Sequence, residues 1–262
     1  MNDFKPGTVY LVGAGPGDPE LLTVKAKRLL IECTALVYDS LIPQELLELV
    51  SSSCECHFVG KRRGHHSFPQ VKTNKLLVEM AKIHSCIVRL KGGDPFLFGR
   101  GAEEAAYLVE RGIPCEVVPG ITAGIAVPAY QGIPVTHRRA GSSVTFVTGH
   151  EGVNKLRPAV NWRALAQATD TLVIYMGIHN LEFISKELIE GGLDPNTPVV
   201  AIQQGTVAGQ RFLKSTIDSI CQALSENVFF SPSIILVGLT VNYQVEACSP
   251  LPANVTMPIT FN

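Results

Sequence analysis

A two-domain α/β fold is what this sequence predicts, and three observations carry the prediction. Short β-branched runs alternate with amphipathic stretches, glycine- or proline-bearing breaks follow directly on strand ends, and His137-Arg138-Arg139 separates one α/β series from a second. With 262 residues, 46% of them hydrophobic, the chain has material for one large or two modest domains with real cores. The expected division is 1–138 and 139–262.

The first strand ends at Tyr10-Leu11-Val12 and runs into Gly13, Gly15 and Gly17, where backbones can approach each other closely. Asp18 suits a helix N-cap and Pro19 a first helical position, with Leu22, Ala26 and Leu29 on one buried face. Ala35–Tyr38 reads as a second strand with Asp39 at its carboxyl end, where open α/β sheets place ligands. Asp39 is equally suited to a turn ahead of the short helix begun by Pro43. Glu55–Val59 is a third strand, followed by the polar loop GKRRGHHSFP. Val71–His84 is helical, with Leu76, Met80 and Ile83 on one face. Cys86–Leu90 is a fourth strand, feeding KGGDPFLFGRG, which repeats the Gly-Asp-Pro of the first turn. A helix with a small-residue face at Ala102, Ala105, Ala106 and Val109 follows. A fifth strand, Cys115–Val118, then ends in PGITAG, with Thr122 offering a hydroxyl.

The second series has strands at Val144–Thr148, Thr171–Tyr175, Val199–Gln203 and Ile234–Val237, and helices near Trp162–Ala168 and Ile178–Glu190. From Tyr243 the proline-bearing tail reads as extended.

A net charge of −1 gives no sign of general nucleic-acid binding, so any basic site is local. The amino terminus lacks the apolar run of a signal peptide and no uncharged stretch reaches spanning length, which reads as a cytoplasmic protein. Seven cysteines, an odd number, mostly inside apolar segments, read as reduced core residues. Cys54 and Cys56 on a strand would point both thiols to one face. Neither that pair nor His65-His66 has companions at ligand spacing, so no metal is expected.

The first turn invites a dinucleotide reading, but Asp18 stands where Gly-x-Gly-x-x-Gly needs its third glycine. Pro16 also removes a backbone donor, and Asp18 and Glu20 put negative charge at the helix end that a pyrophosphate would occupy. A phosphate-poor nucleoside fits better, and S-adenosylmethionine is one.

VGAGPGDPELLT, VYDSL, VGKRRG, RLKGGDPFLFGRGAEE, VPGITAG and YMG resemble, motif by motif and in order, the uroporphyrinogen-III C-methyltransferases of the tetrapyrrole methylase superfamily. The resemblance spans most of the chain and is densest from Val9 to Arg138. It implies two α/β domains of the tetrapyrrole methylase type, with S-adenosylmethionine in the cleft between them, and a homodimer. The implied reaction methylates uroporphyrinogen III at two ring carbons, giving precorrin-2 via precorrin-1 and S-adenosylhomocysteine, for sirohaem or cobalamin-type synthesis. Carried over position by position, Pro16, Gly92, Gly93, Asp94, Leu97, Thr122, Ala123, Met176 and Gly205 line the cofactor site. Asp39 is the implied proton acceptor and Lys61 the donor. QQGTVAGQRF is a looser match, where a more charged segment is expected.

The implied substrate carries a carboxylate on every side arm, so cations should gather around it. Arg62, Arg63, Arg89, Lys91 and Arg100 stand at suitable places for bidentate or point-charge contacts. Sirohaem enzymes that add dehydrogenase and ferrochelatase domains need more chain than this, so the expected product is precorrin-2. Two other readings remain at this level. One is a superfamily methylase acting on a later corrin precursor or a translation factor; the other is a non-catalytic dinucleotide-binding module in which Asp39 grips a ribose.

Overall fold

The computed structural model describes residues 7–60, 69–150, 160–245 and 248. The chain divides into two compact units, Met1–Thr122 and Ala123–Asn262, so the change of unit falls ahead of the helix Ala123–Tyr130 rather than near Arg138. That helix puts Val127 into the apolar cluster of the second unit, against Val173, Val200 and Ile202. A basic surface segment marks a break in sequence character; the packing of an apolar helix decides to which core it belongs.

The first unit is built on five strands: β1 (Thr8–Gly13), β2 (Ala35–Tyr38), β3 (Glu55–Phe58), β4 (Cys86–Lys91) and β5 (Cys115–Val118). All pair in parallel, in the order β3-β2-β4-β1-β5. The chain leaves β1 towards one side of the sheet and leaves β4 towards the other, so its course reverses between these two neighbours. Their carboxyl ends are where such a sheet offers a crevice.

Strand alternation sorts the core. Tyr10, Val12, Leu36, Val88 and Leu90 pack on α1 (Val24–Glu32) and α2 (Gln44–Leu47). Val9, Leu11, Val37 and Ile87 pack on the opposite face against α3 (Gln70–Ile83) and α4 (Gly101–Val109).

Three helical expectations change. Asp18 does cap, accepting from the Glu20 amide at 2.8 Å, but the element it opens is a single 3-10 turn, Pro19–Leu21. α1 is capped anew by Thr23, whose hydroxyl accepts from Ala26. The chain therefore bends between two caps that the sequence reads as one helix start. In α3 the buried face is Thr73, Asn74, Leu77 and Met80, while Ile83 is exposed. In α4 it is Gly101, Glu104 and Leu108, with Ala102, Ala106 and Val109 turned outward. Both helices rotate a polar residue inward, for a reason that lies in β4.

The second unit has strands β6 (Val144–Thr148), β7 (Thr171–Tyr175), β8 (Pro198–Gln203), β9 (Arg211–Thr216) and β10 (Ser233–Val237), ordered β6-β7-β10-β8-β9. β6 and β7 are parallel and the other pairings antiparallel. One face carries α6 (Trp162–Ala168), α7 (Leu181–Glu190) and α8 (Ile220–Asn227). On the other lies α5 (Ala123–Tyr130). β9, α5 and α8 go beyond the sequence expectation, because their apolar residues are sparse or lie within proline- and glycine-bearing stretches.

Among the described residues no helix is long and apolar enough to cross a membrane, and no group of three or more His, Cys, Asp or Glu could hold a metal ion. All the cysteines are free. Cys54 precedes β3 instead of lying in it, so its sulfur turns to Cys33 at 3.6 Å while Cys56 is exposed.

Burial pushes the Cys33 thiol up to about 11, the Cys115 thiol to about 11 and the Cys86 thiol to about 12. Alkylation proceeds through the thiolate. Iodoacetamide at pH 8 is therefore expected to label exposed Cys56 and Cys248 in the native protein well before Cys33, Cys86 or Cys115, as read by peptide mass spectrometry; equal rates would contradict this packing.

Candidate active site

The carboxyl ends of β1, β4 and β5 meet at bare backbone. A methyl group on Gly13 would lie 2.5 Å from the Gly120 Cα and 2.6 Å from the Gly93 carbonyl oxygen; on Gly120 it would lie 2.2 Å from that same oxygen. No side chain can enter without separating the strands. Gly15 and Gly93 also exchange backbone hydrogen bonds, of 3.2 and 2.7 Å, joining the first turn to the second. Asp94 joins the second turn to the third: Oδ1 accepts from the Phe96 amide at 2.8 Å and Oδ2 from the Gly120 amide at 3.0 Å. Three breaks in the chain thus form one hydrogen-bonded edge.

Beside this edge, at the end of β2, stands Asp39, its side chain 30% exposed. Arg89 Nη2 donates to both its oxygens, at 2.9 and 3.1 Å. On β4 the period of two turns Arg89 and Lys91 to the face covered by α3 and α4, where they are only 3% and 4% exposed. Glu104 answers them from α4, with no exposed surface at all. Arg89 Nε donates to Glu104 Oε1 at 3.2 Å and Lys91 Nζ to the same oxygen at 3.3 Å. Gln70 Nε2 on α3 adds a third donor at 2.9 Å and bonds Asn74 as well.

This corrects the assignment of Arg89 and Lys91 to substrate: the carboxylates they hold belong to the protein. Burial pushes the Lys91 ammonium below its ordinary value, with Arg89 adding to the effect and Glu104 and Asp39 opposing it. Arg100 is exposed, but both arms of its guanidinium reach Glu103, at 3.1 and 2.6 Å. Lys61, Arg62 and Arg63, and with them His65 and His66, lie outside the described residues, as does most of the tail after Val245. Gly60, just before them, packs against Asp39's neighbour: a Cβ there would stand 2.4 Å from the Ser40 amide.

Glu104 is the residue the sequence reading missed. One signal was present, a strand alternating Ile87, Arg89 and Lys91 on one face, which demands an acid from whatever helix covers it.

Of the cofactor positions the resemblance implies, Pro16, Gly92, Gly93, Asp94 and Leu97 fall on the first two turns. Thr122 ends the first unit and Ala123 opens the second. In the second unit, Met176 directly follows β7 with φ of 54° and is 48% exposed. Gly205 directly follows Gln204, and a Cβ on it would overlap Val127 at 2.3 Å. Its neighbours Gln204 and Thr206 have φ of 49° and 67°, and the Thr206 amide is held at 2.7 Å by buried Gln210, itself bonded to Gln131.

The family model for tetrapyrrole (corrin/porphyrin) methylases matches residues 8–221. The chain belongs to this family. It is 52% identical over 237 residues to the uroporphyrinogen-III C-methyltransferase of Synechocystis sp., covering 90% of each chain. To the enzyme of the same name from Methanocaldococcus jannaschii it is 49% identical, covering 90% of this chain and 97% of the relative. The crystal structure of a Thermus thermophilus uroporphyrin-III C-methyl transferase complexed with S-adenyl homocysteine superposes with a TM-score of 0.77 at 36% identity, over 90% of this chain and 99% of that one.

Asp94→Ala removes the acceptor of two backbone amides and unties the second turn from the third. We expect a loss of about 2 kcal/mol in urea unfolding and a clear weakening of S-adenosylhomocysteine binding by calorimetry; unchanged values for both would show that the turns hold without it.

Proposed function

We propose that the chain catalyses S-adenosylmethionine-dependent methylation of uroporphyrinogen III at two ring carbons, giving precorrin-2 via precorrin-1, for sirohaem or cobalamin-type tetrapyrrole synthesis. One observation carries the reading: an acid fixed by a buried arginine stands beside three interlocked backbone turns, on a chain half identical to named uroporphyrinogen-III methyltransferases.

The first turn suits a ligand without phosphate. Pro16 has no amide hydrogen, and the helical turn that would face a diphosphate already has Asp18's carboxylate on the Glu20 amide. A dinucleotide would have to displace that cap and bring its charge against an acid. The backbone of Gly92–Asp94 and the segments around Thr122, Met176 and Gly205 are the residues we assign to the nucleoside and its amino-acid arm. Bound there, S-adenosylmethionine supplies an already activated methyl group.

The protein's own work is alignment and proton handling. Holding a ring carbon in near-attack geometry is worth on the order of 7 kcal/mol or more, beyond what one proton-transfer residue supplies. When the ring carbon is methylated the macrocycle becomes cationic and sheds a proton, and Asp39 is the acceptor. Its carboxylate takes two hydrogen bonds from Arg89, which fix its plane while its exposed side remains open to the ring. Lys61 is the donor that the resemblance implies. With Arg89 and Lys91 engaged, Arg62, Arg63 and Arg100 are left as the cations assigned to the substrate's carboxylates; Arg100 would exchange its exposed Glu103 partner at little cost. The reading also carries a homodimer, which light scattering tests, and a cytoplasmic location, which cell fractionation tests.

Purified protein with uroporphyrinogen III and S-adenosylmethionine is expected to yield a doubly methylated product by mass spectrometry with no metal added; tight NAD binding without S-adenosylhomocysteine binding would sink the assignment. Asp39→Asn should lower kcat by roughly 10²- to 10⁴-fold and leave S-adenosylhomocysteine affinity within a small factor.

A further inference from the structure

We propose that Glu104 is a positioning residue for methyl transfer, acting through Arg89 to orient Asp39; this rests on Asp39 being the proton acceptor. The guanidinium of Arg89 is a rigid plane, and the protein grips it on three sides. Nε meets Glu104, while Nη1 donates to the carbonyls of Val37 at 3.4 Å and Leu90 at 3.2 Å. Only Nη2 is left to reach out, and it reaches Asp39. A planar fork held from behind fixes the plane of the carboxylate in front.

Glu104 itself is held from two elements. Its Oε1 takes donors from β4 and from Gln70 on α3, and its Oε2 lies 3.2 Å from the Lys91 ammonium without an aligned hydrogen bond. The cluster is electrically balanced, with Asp39 and Glu104 against Arg89 and Lys91. If Glu104 lost its charge, both cations would turn on the one remaining carboxylate. Lys91 Nζ, now 4.0 Å from Asp39 Oδ2, would move in and compete with Arg89 for it. The acid would then be drawn from the geometry that accepts the proton.

The test is steady-state kinetics on Glu104→Gln, beside direct S-adenosylhomocysteine binding. kcat should fall by on the order of 10-fold or more, with KM for S-adenosylmethionine and affinity for the product unchanged; a structural role alone would move binding and rate together. Arg89→Lys keeps the charge and loses the fork, and should show the same split. The double variant should be no slower than the slower single one, because both act along one chain of contacts. Folded Glu104→Gln with unchanged kcat overturns the proposal, as does a loss of affinity that matches the loss of rate. Should Glu104→Gln fail to fold, an unchanged kcat in Arg89→Lys overturns it instead. Asp39→Asn separates the two readings: full activity there removes the proton acceptor itself, while an inactive Asp39→Asn beside an active Glu104→Gln removes only the positioning role.

Discussion

A guanidinium buried inside the first unit is the constraint from which much of that unit follows. Arginine keeps its charge under all ordinary conditions, and taking such an ion out of water costs several kcal/mol unless carboxylates and carbonyls meet it. Arg89 sits in the middle of the central strand β4, on the face covered by α3 and α4. α4 therefore turns Glu104 inward, with Ala102 and Ala106 outward and Ala105 against the core, and α3 lends Gln70, which bonds both Glu104 and Asn74. Asp39 closes the chain of charge at the edge of the sheet. Buried ion clusters can often be replaced by apolar side chains of the same volume with no loss of stability. What the ions add is direction, because a hydrogen-bonded network has one geometry where an apolar patch tolerates several.

The second constraint is contact between strand ends. In a parallel sheet the carboxyl ends of neighbours usually leave room for side chains between their outgoing loops. At β1, β4 and β5 that room is gone, since Gly13, Gly93 and Gly120 touch backbone to backbone. Asp94 then closes the edge by accepting amides from its own turn and from the turn after β5. The two constraints reinforce each other, because β4 carries both the ion network at Arg89 and Lys91 and the glycines that immediately follow it.

This division explains what was legible in the sequence. The strands were legible, since Val, Ile and Leu in runs bounded by glycine and proline leave few alternatives, and the three turns follow from their Gly-Asp-Pro and Pro-Gly breaks. The orientation of α3 and α4 was not, because periodicity counts apolar residues and cannot know that a glutamate has two buried cations to answer. Ala102, Ala106 and Val109 form a face as apolar as the one the protein buries, and only β4 decides between them. Asp18 and Thr23 are each sound caps, and sequence alone does not say that the chain uses both. β9 was hidden by its composition: Arg211, Lys214, Ser215 and Thr216 surround the apolar Phe212 and Leu213, as suits an edge strand with one partner.

Backbone strain gives a separate line of argument in the second unit. Met176, Gln204 and Thr206 all adopt positive φ, which costs a non-glycine residue about 1 to 3 kcal/mol and persists only where the surroundings leave no alternative. The surroundings are identifiable. Gly205 lies so close to Val127 that any side chain would force α5 away, and Gln210, wholly buried, holds the Thr206 amide while bonded to Gln131. After β7, Gly177 packs where a Cβ would stand 2.7 Å from Ile174, and the Tyr175 hydroxyl accepts from the Gly124 amide. These segments directly follow β7 and β8, at the two positions, Met176 and Gly205, that the motif resemblance assigns to the cofactor. Buried side-chain amides at Gln210 and Gln131 thus hold the turn after β8 at Thr206, and close packing at Gly177 and Gly205 leaves no room for a side chain at either position.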